Sequence, residues 1–157
     1  MKRKILESAI DICQYDELQP DDKRLIDAAV EMTQHSYSVY SHFNVGSALM
    51  LDNGKIMTGC NQENVAFSVT ICAERSALFA AGSQFPEIPV NAIAIAARGT
   101  DGELLEEPIS PCGTCRQAMI ETEIRFGKEL RILLYGKRHI YIIEGIKNLM
   151  PLSFRQL

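Results

Sequence analysis

Three cysteines and one glutamate carry the chemistry most easily read from this chain. Cys112 and Cys115 lie in "SPCGTCRQ" at residues 110–117, and Cys72 lies in "TICAERSAL" at residues 70–78. A C-x-x-C pair alone fits half of a zinc site, a thiol–disulfide redox pair or two unrelated buried thiols. The redox reading wants a strand–CxxC–helix opening a βαβ unit, and it leaves Cys72-x-Glu74 without a purpose. The metal reading uses all four residues. Thiolates ligate zinc, and three protein ligands leave the fourth tetrahedral position open, as in a catalytic zinc. A structural zinc would want a fourth protein ligand, and the sequence offers none that is well placed. Glu74 is too near Cys72 in the chain to be a comfortable further ligand, but it can hang over the open position. A carboxylate there can take a proton from water and hand it to a substrate.

The elements that must position these residues are legible from pattern. Pro20 and Asp21 start a helix within 19–36, with Leu25, Ala28, Ala29 and Met32 on its core face. Asp52-Asn53-Gly54 sits between two apolar runs and predicts a β-hairpin over 43–60. A helix is expected from about Thr70 to Gly82, and a second from Pro111 to Gly127. Cys72 and Cys112 fall at the starts of these helices, where the helix dipole favours a negative charge by roughly 0.3–1 kcal/mol. The apolar run "VNAIAIAARG" reads as a buried central strand. "ELRILLYG" and "HIYIIEG" give two more strands, making five in all. Residues 4–15 read as an extended arm or a strand, and 146–157 as a short tail. The expectation is one domain over 1–157, a three-layer α/β/α sandwich around a mixed five-stranded sheet, with an N-terminal arm at about 1–19.

Composition narrows the class of partner. The 157 residues include 46% hydrophobic and 23% charged residues, with a net charge of −4, which suits a soluble globular enzyme and not a nucleic-acid binder. The longest apolar run, Ala92–Ala97, is too short to span a bilayer, and Glu7 and Asp11 interrupt any leader-like segment. A cytoplasmic protein with reduced thiols is expected, binding a small molecule and no membrane. Cys13 and Cys60 read as plain small residues. His35, His42 and His139 lack ligand spacing, though His42 directly precedes Phe43.

Four pieces in order give the chain a family resemblance: "FNVGSAL" at 43–49, "NQEN" at 61–64, "TICAER" at 70–75 and "PCGTCRQ" at 111–117. With C-A-E and P-C-x-x-C in place, the sequence resembles the zinc-dependent cytidine deaminases of the small, homotetrameric type. The resemblance runs from Phe43 to the C-terminus. It implies one zinc ion per chain on Cys72, Cys112 and Cys115, with Glu74 as the proton shuttle. It implies that Asn61 and Glu63 hydrogen-bond the ribose hydroxyl, that Phe43 packs against the base, and that backbone groups of Ala73 and Ser110 read the pyrimidine edge. Phe154 matches a C-terminal Phe that covers the base in a neighbouring subunit of a tetramer. The implied reaction converts cytidine and deoxycytidine to uridine and deoxyuridine with release of ammonia.

Departures from the family pattern are Val65, Ala66 and Phe67 after Asn64, where N-A-S-Y is usual after the Glu, and Ser47 where Ala is usual. Three thiolates on Zn²⁺ leave a net charge of −1, and Arg75 is the side chain best placed to offset it, with Arg116 second. Leu149, Met150, Leu152 and Phe154 would form an exposed apolar patch on a single chain, which docking on another subunit would bury. Two other readings stand beside this one: a deaminase of another aminopyrimidine nucleoside, such as a nucleoside antibiotic, and a non-catalytic zinc module for protein interaction.

Overall fold

The alternation of isoleucine and alanine in "VNAIAIAAR" sorts the two faces of the sheet. This run is a single strand, Val90–Arg98, in the computed structural model, which describes residues 1–155. The elements in chain order are β1 (Asp11–Cys13), α1 (Pro20–Met32), β2 (Asn44–Leu51), β3 (Ile56–Cys60), α2 (Ala73–Gln84), β4 (Val90–Arg98), α3 (Gly113–Phe126), β5 (Arg131–Tyr135) and β6 (Ile140–Glu144). Successive side chains on a strand point to opposite faces. Ala92, Ala94 and Ala96 therefore share one face with Leu133, where they pack against Leu25, Ile26 and Ala29 of α1. Ile93 and Ile95 share the other with Ile132 and Leu134, where they meet Leu78 and Ala81 of α2 and Met119 and Ile120 of α3. Helices thus cover both faces, as expected of an α/β/α sandwich.

The sheet order is β1-β6-β5-β4-β2-β3. Only β4 and β5 pair in parallel; every other neighbouring pair is antiparallel. The sheet has six strands, where five were expected. The extra strand is β1 from the N-terminal arm, whose Asp11–Cys13 pairs with Ile142–Ile140 and covers the edge that β6 would otherwise expose.

Two other boundaries differ from the pattern reading. α2 starts at Ala73, after the chain has bridged Gln62 to Ile71, and it continues through Gly82 to Gln84. In the tail, Leu149 and Met150 pack against the core, so the expected apolar patch shrinks to Leu152 and Phe154, which are 83% and 63% exposed.

Topology brings the two helix starts together. β3 and β4 both run antiparallel to β2, so the C-terminal ends of β3 at Cys60 and β4 at Arg98 lie at the same end of the sheet, opposite Gly46 and Asn44. α2 follows β3 and α3 follows β4, so both helices begin at that end. Close approach fixes how they sit. A Cβ on Gly59 of β3 would come within 2.5 Å of Ala77 N and 2.7 Å of Ala73 O, so only glycine lets the first turns of α2 lie on the sheet there. At the same end, Gly136 follows β5. A Cβ on it would meet Glu106 O, Glu107 C and Pro108 N, each at 2.6 Å, in the segment that leads into Ser110–Cys112.

Candidate active site

Cys72 is the residue just before α2, and Cys112 the residue just before α3. Both have extended backbones, with ψ of 154° and 164°, which turn their side chains across the helix ends. Cys115 lies in the first turn of α3 and is fully buried. The Sγ atoms of Cys72 and Cys112 are 3.8 Å apart, and those of Cys112 and Cys115 are 3.5 Å apart. All three lie within 4.8 Å of one another. Two sulfurs on one tetrahedral zinc, each at about 2.3 Å, are separated by roughly 3.8 Å. The donor chemistry and the spacing therefore fit zinc, and the three cysteines are positioned to hold a metal ion. Cys60 stays outside this group: it is buried, and its thiol donates to His35 O at 3.2 Å.

Charge at the cluster is arranged around Arg75. Its Nη2 donates to Cys72 Sγ at 3.7 Å. Contact with Cys72 and then Cys115 holds the guanidinium pKa above its ordinary value. Its Nε is buried without a hydrogen-bond partner, and no carboxylate forms an ion pair with it among the described residues. The Cys72 thiol is pulled down to about 5, first by the hydrogen bond from Cys115, against the opposing effect of burial, and then by Arg75. Cys115, the donor in that pair, is pushed up by the same bond and by its burial.

Glu74 is 4% exposed, on the first turn of α2. Burial raises its pKa, with a smaller contribution from the Cys72 charge, and its own backbone N–H acts in the opposite direction. A buried carboxyl with a raised pKa beside a metal cradle is a candidate proton carrier.

The remaining site residues gather at the same end of the sheet. Phe43 is half-buried immediately before β2. Asn61 follows β3; its Oδ1 accepts from Val45 N at 2.8 Å and from the Ser36 hydroxyl, and its Nδ2 donates to Phe43 O at 2.9 Å. Glu63 Oε2 accepts from Tyr40 N at 2.8 Å and Ser41 N at 3.2 Å. Hydrogen bonding to Ser41 is the main reason its pKa is lowered. Tyr40, Ser41, Glu63, Phe67 and Thr70 line a cavity of about 270 Å³. Ala73 is buried and Ser110 is exposed. Phe154 is exposed on the tail, and its carbonyl accepts from Gln117 Nε2 at 3.0 Å. His42 occupies a turn with φ of 56°, and its N–H donates to Ser38 O at 2.8 Å.

Sequence reasoning gave little weight to Arg116. Its Nε donates to Pro111 O at 2.9 Å, its Nη1 to Leu149 O at 2.7 Å and its Nη2 to Ser110 Oγ at 2.8 Å. The only signal for this in the sequence is an arginine inside a metal motif with no acidic residue at helical spacing nearby.

Three thiolates at paired helix starts with a buried carboxylate beside them, on an α/β/α scaffold, define a zinc-dependent hydrolase. The particular family is shown by comparison. Residues 19–126 match the cytidine and deoxycytidylate deaminase zinc-binding region, and the chain belongs to that family. A cytidine deaminase of Halalkalibacterium halodurans is 41% identical over 101 residues, covering 64% of this chain and 71% of the relative. One from Sporosarcina psychrophila is 43% identical over 101 residues, covering 64% and 69%. Among solved structures, cytidine deaminase from Burkholderia pseudomallei superposes with a TM-score of 0.71 at 35% identity, covering 83% of this chain and 97% of that one. No helix among the described residues is long and apolar enough to cross a membrane.

Proposed function

We propose that the chain catalyses the hydrolytic deamination of cytidine and deoxycytidine, giving uridine or deoxyuridine and ammonia. The observation that carries this reading is the buried Glu74 carboxyl beside a three-cysteine cradle in a chain of the deaminase family. One zinc ion held by Cys72, Cys112 and Cys115 supplies a water activated for attack at neutral pH. Glu74 would take a proton from that water and place it on N3 of the ring; after attack at C4 it would take the second proton from the new C4 hydroxyl, which becomes the carbonyl, and give it to the departing amine. Its burial supports the role, because desolvation raises the pKa and so makes the carboxylate a better proton acceptor than a free one.

Unused hydrogen-bonding capacity supports complementary parts for the ribose pair. Asn61 has spent its oxygen and one amide hydrogen on the protein, so it offers the ribose a donor. Glu63 has spent Oε2, so Oε1 offers an acceptor. Phe43 packs against the base, and the backbone of Ala73 and Ser110 reads the pyrimidine edge. Arg75 offsets the charge of the thiolates. The chain acts as a single catalytic domain in the reducing cytoplasm, as a homotetramer in which Phe154 reaches a neighbour's site.

A spectrophotometric assay on cytidine, with and without chelator, tests the reading. Turnover that is lost on chelation and restored by Zn²⁺ is expected. No turnover of cytidine by protein carrying one zinc ion per chain would overturn it, as would full activity in protein shown to hold no metal.

A further inference from the structure

We propose that Arg116 is a positioning residue that locks the C-terminal segment to the turn carrying Ser110 and Cys112, so that tail docking and substrate affinity rise and fall together. The consequence for affinity rests on the deaminase reading above; the mechanical link does not.

The three groups that Arg116 bonds come from two separate parts of the chain. Pro111 O and Ser110 Oγ belong to the turn that enters α3. Leu149 O belongs to the segment after β6, 33 residues away. All three acceptors are neutral, and Arg116 forms no ion pair with any described carboxylate. The charge is therefore not used in a surface salt bridge. A guanidinium presents five N–H groups in a rigid planar fork, so one side chain can hold two backbone segments at fixed separation. A lysine ammonium, a point donor on a flexible stem, does not reproduce that fork.

The path of the tail shows what this link holds. After β6 the chain turns back along α3. Ile146 N–H donates to Glu123 Oε1 at 2.8 Å, Leu149 O accepts from Arg116, and Phe154 O accepts from Gln117 at 3.0 Å. As the tail advances from Ile146 to Leu149 its partner on α3 steps back from Glu123 to Arg116, so the segment climbs toward the metal end, where Phe154 then stays beside Gln117. Arg116 is the middle anchor, and it alone also grips the turn before Cys112. Without it, Glu123 still holds Ile146, but the residues beyond Leu149 lose their link to that turn, and Ser110 loses its partner. The cysteines keep their places on the helix end.

The test compares zinc-loaded wild type with R116Q, R116K and S110A, using hydrogen–deuterium exchange, metal content and cytidine kinetics. In both Arg116 variants, amides of 112–115 and of 149–155 should exchange faster together, while β4 and β5 stay protected and zinc stays at one ion per chain. KM should rise about tenfold with kcat changed much less, the signature of lost positioning in the bound ground state. The Ser110 hydroxyl bonds Arg116 and makes no hydrogen bond to the tail among the described residues, so faster exchange at 149–155 in S110A points to a path through Arg116. It carries the test if the Arg116 variants fail to fold. Tail exchange that rises while 112–115 and KM stay at wild-type values would overturn the link, and so would an unaltered tail in S110A. Failure of the wild type to deaminate cytidine would sink the deaminase reading while leaving the exchange coupling to decide the role of Arg116.

Discussion

Replacing Arg75 with glutamine should move the pH dependence of activity to higher pH by about one unit. Three thiolates around a divalent ion leave one net negative charge, which opposes loss of a proton from the water that the site activates. Arg75 Nη2 stands 3.7 Å from Cys72 Sγ. At that separation two unit charges interact by about 4.5 kcal/mol for an effective dielectric of about 20. The side chain is half-buried, so solvent screens much of this, and about a third, or roughly 1.4 kcal/mol, is one pKa unit. Removing a positive charge disfavours the deprotonated form, so the acid limb of log(kcat/KM) against pH moves up. The profile of Arg75→Gln should be measured beside that of Arg75→Lys, together with zinc retention against a colorimetric chelator. The lysine variant keeps the charge and loses the fork, so its acid limb should stay within a few tenths of a unit of wild type while its zinc is released faster. An Arg75→Gln profile that overlies the wild type, with unchanged zinc release, would refute the compensation argument.

Other expectations follow from the same geometry. Glu74→Gln should retain zinc and lose kcat by about 10²–10⁴, since both proton transfers pass through one carboxylate; turnover within tenfold of wild type would remove the shuttle. Because burial raises the Glu74 pKa above its ordinary 4.5, the unfolded chain releases this proton first, and the fold loses stability as pH rises from 4.5 toward the raised value. In chelated protein, the melting temperature of Glu74→Gln should therefore gain on wild type across that window, and a constant gap would contradict the assignment. Ser47 is fully buried and its hydroxyl has no partner, so Ser47→Ala should raise stability by about 1 kcal/mol, or roughly 2–4 °C in Tm; a lower Tm would reveal a partner for the hydroxyl. Phe154→Ala should raise KM about tenfold while keeping zinc, from the roughly 1–3 kcal/mol of base stacking. Sedimentation should give the mass of four chains, and a fully active single chain with an indifferent Phe154 would remove the shared site.

The zinc ligands were legible because their signal is local. A helix start needs an extended residue followed by a helical turn, and C-A-E-R and P-C-G-T-C each write that sequence of conformations within a few residues. The hairpin was legible for the same reason, since Asp52-Asn53-Gly54 encodes its own turn, with Gly54 at φ of 79°. β1 was not. Three half-alternating residues become a strand only because β6 offers an unpaired edge, and that edge exists only once the sheet is assembled. The tail misled in part for a related reason. Leu149 and Met150 look like exposed apolar residues at a terminus, but the folded core takes their side chains and Arg116 of α3 donates to the Leu149 carbonyl.

The roles of Asn61 and Arg116 show where reading from motifs stops. Asn61 is named by its motif as a ribose contact, yet its first duty in the fold is to tie Ser36, Phe43 and Val45 into one unit. The partners lie 16 to 25 residues away, so no window of sequence contains the set. Accepting from Ser36 and Val45 while donating to Phe43 explains why an amide is needed at this position, and it leaves one amide hydrogen unused among these contacts. A carboxylate at 61 would have no hydrogen for Phe43 O, and a serine would not reach Val45 N and Phe43 O together. The same logic separates the two arginines. Arg75 is three residues from its thiolate, one helical turn, so spacing alone suggests the contact. Arg116 sits one residue from Cys115 but points back across the helix start to a segment 33 residues on. The chemistry is written locally, and the rigidity that makes it work is written in contacts that only the folded chain brings together.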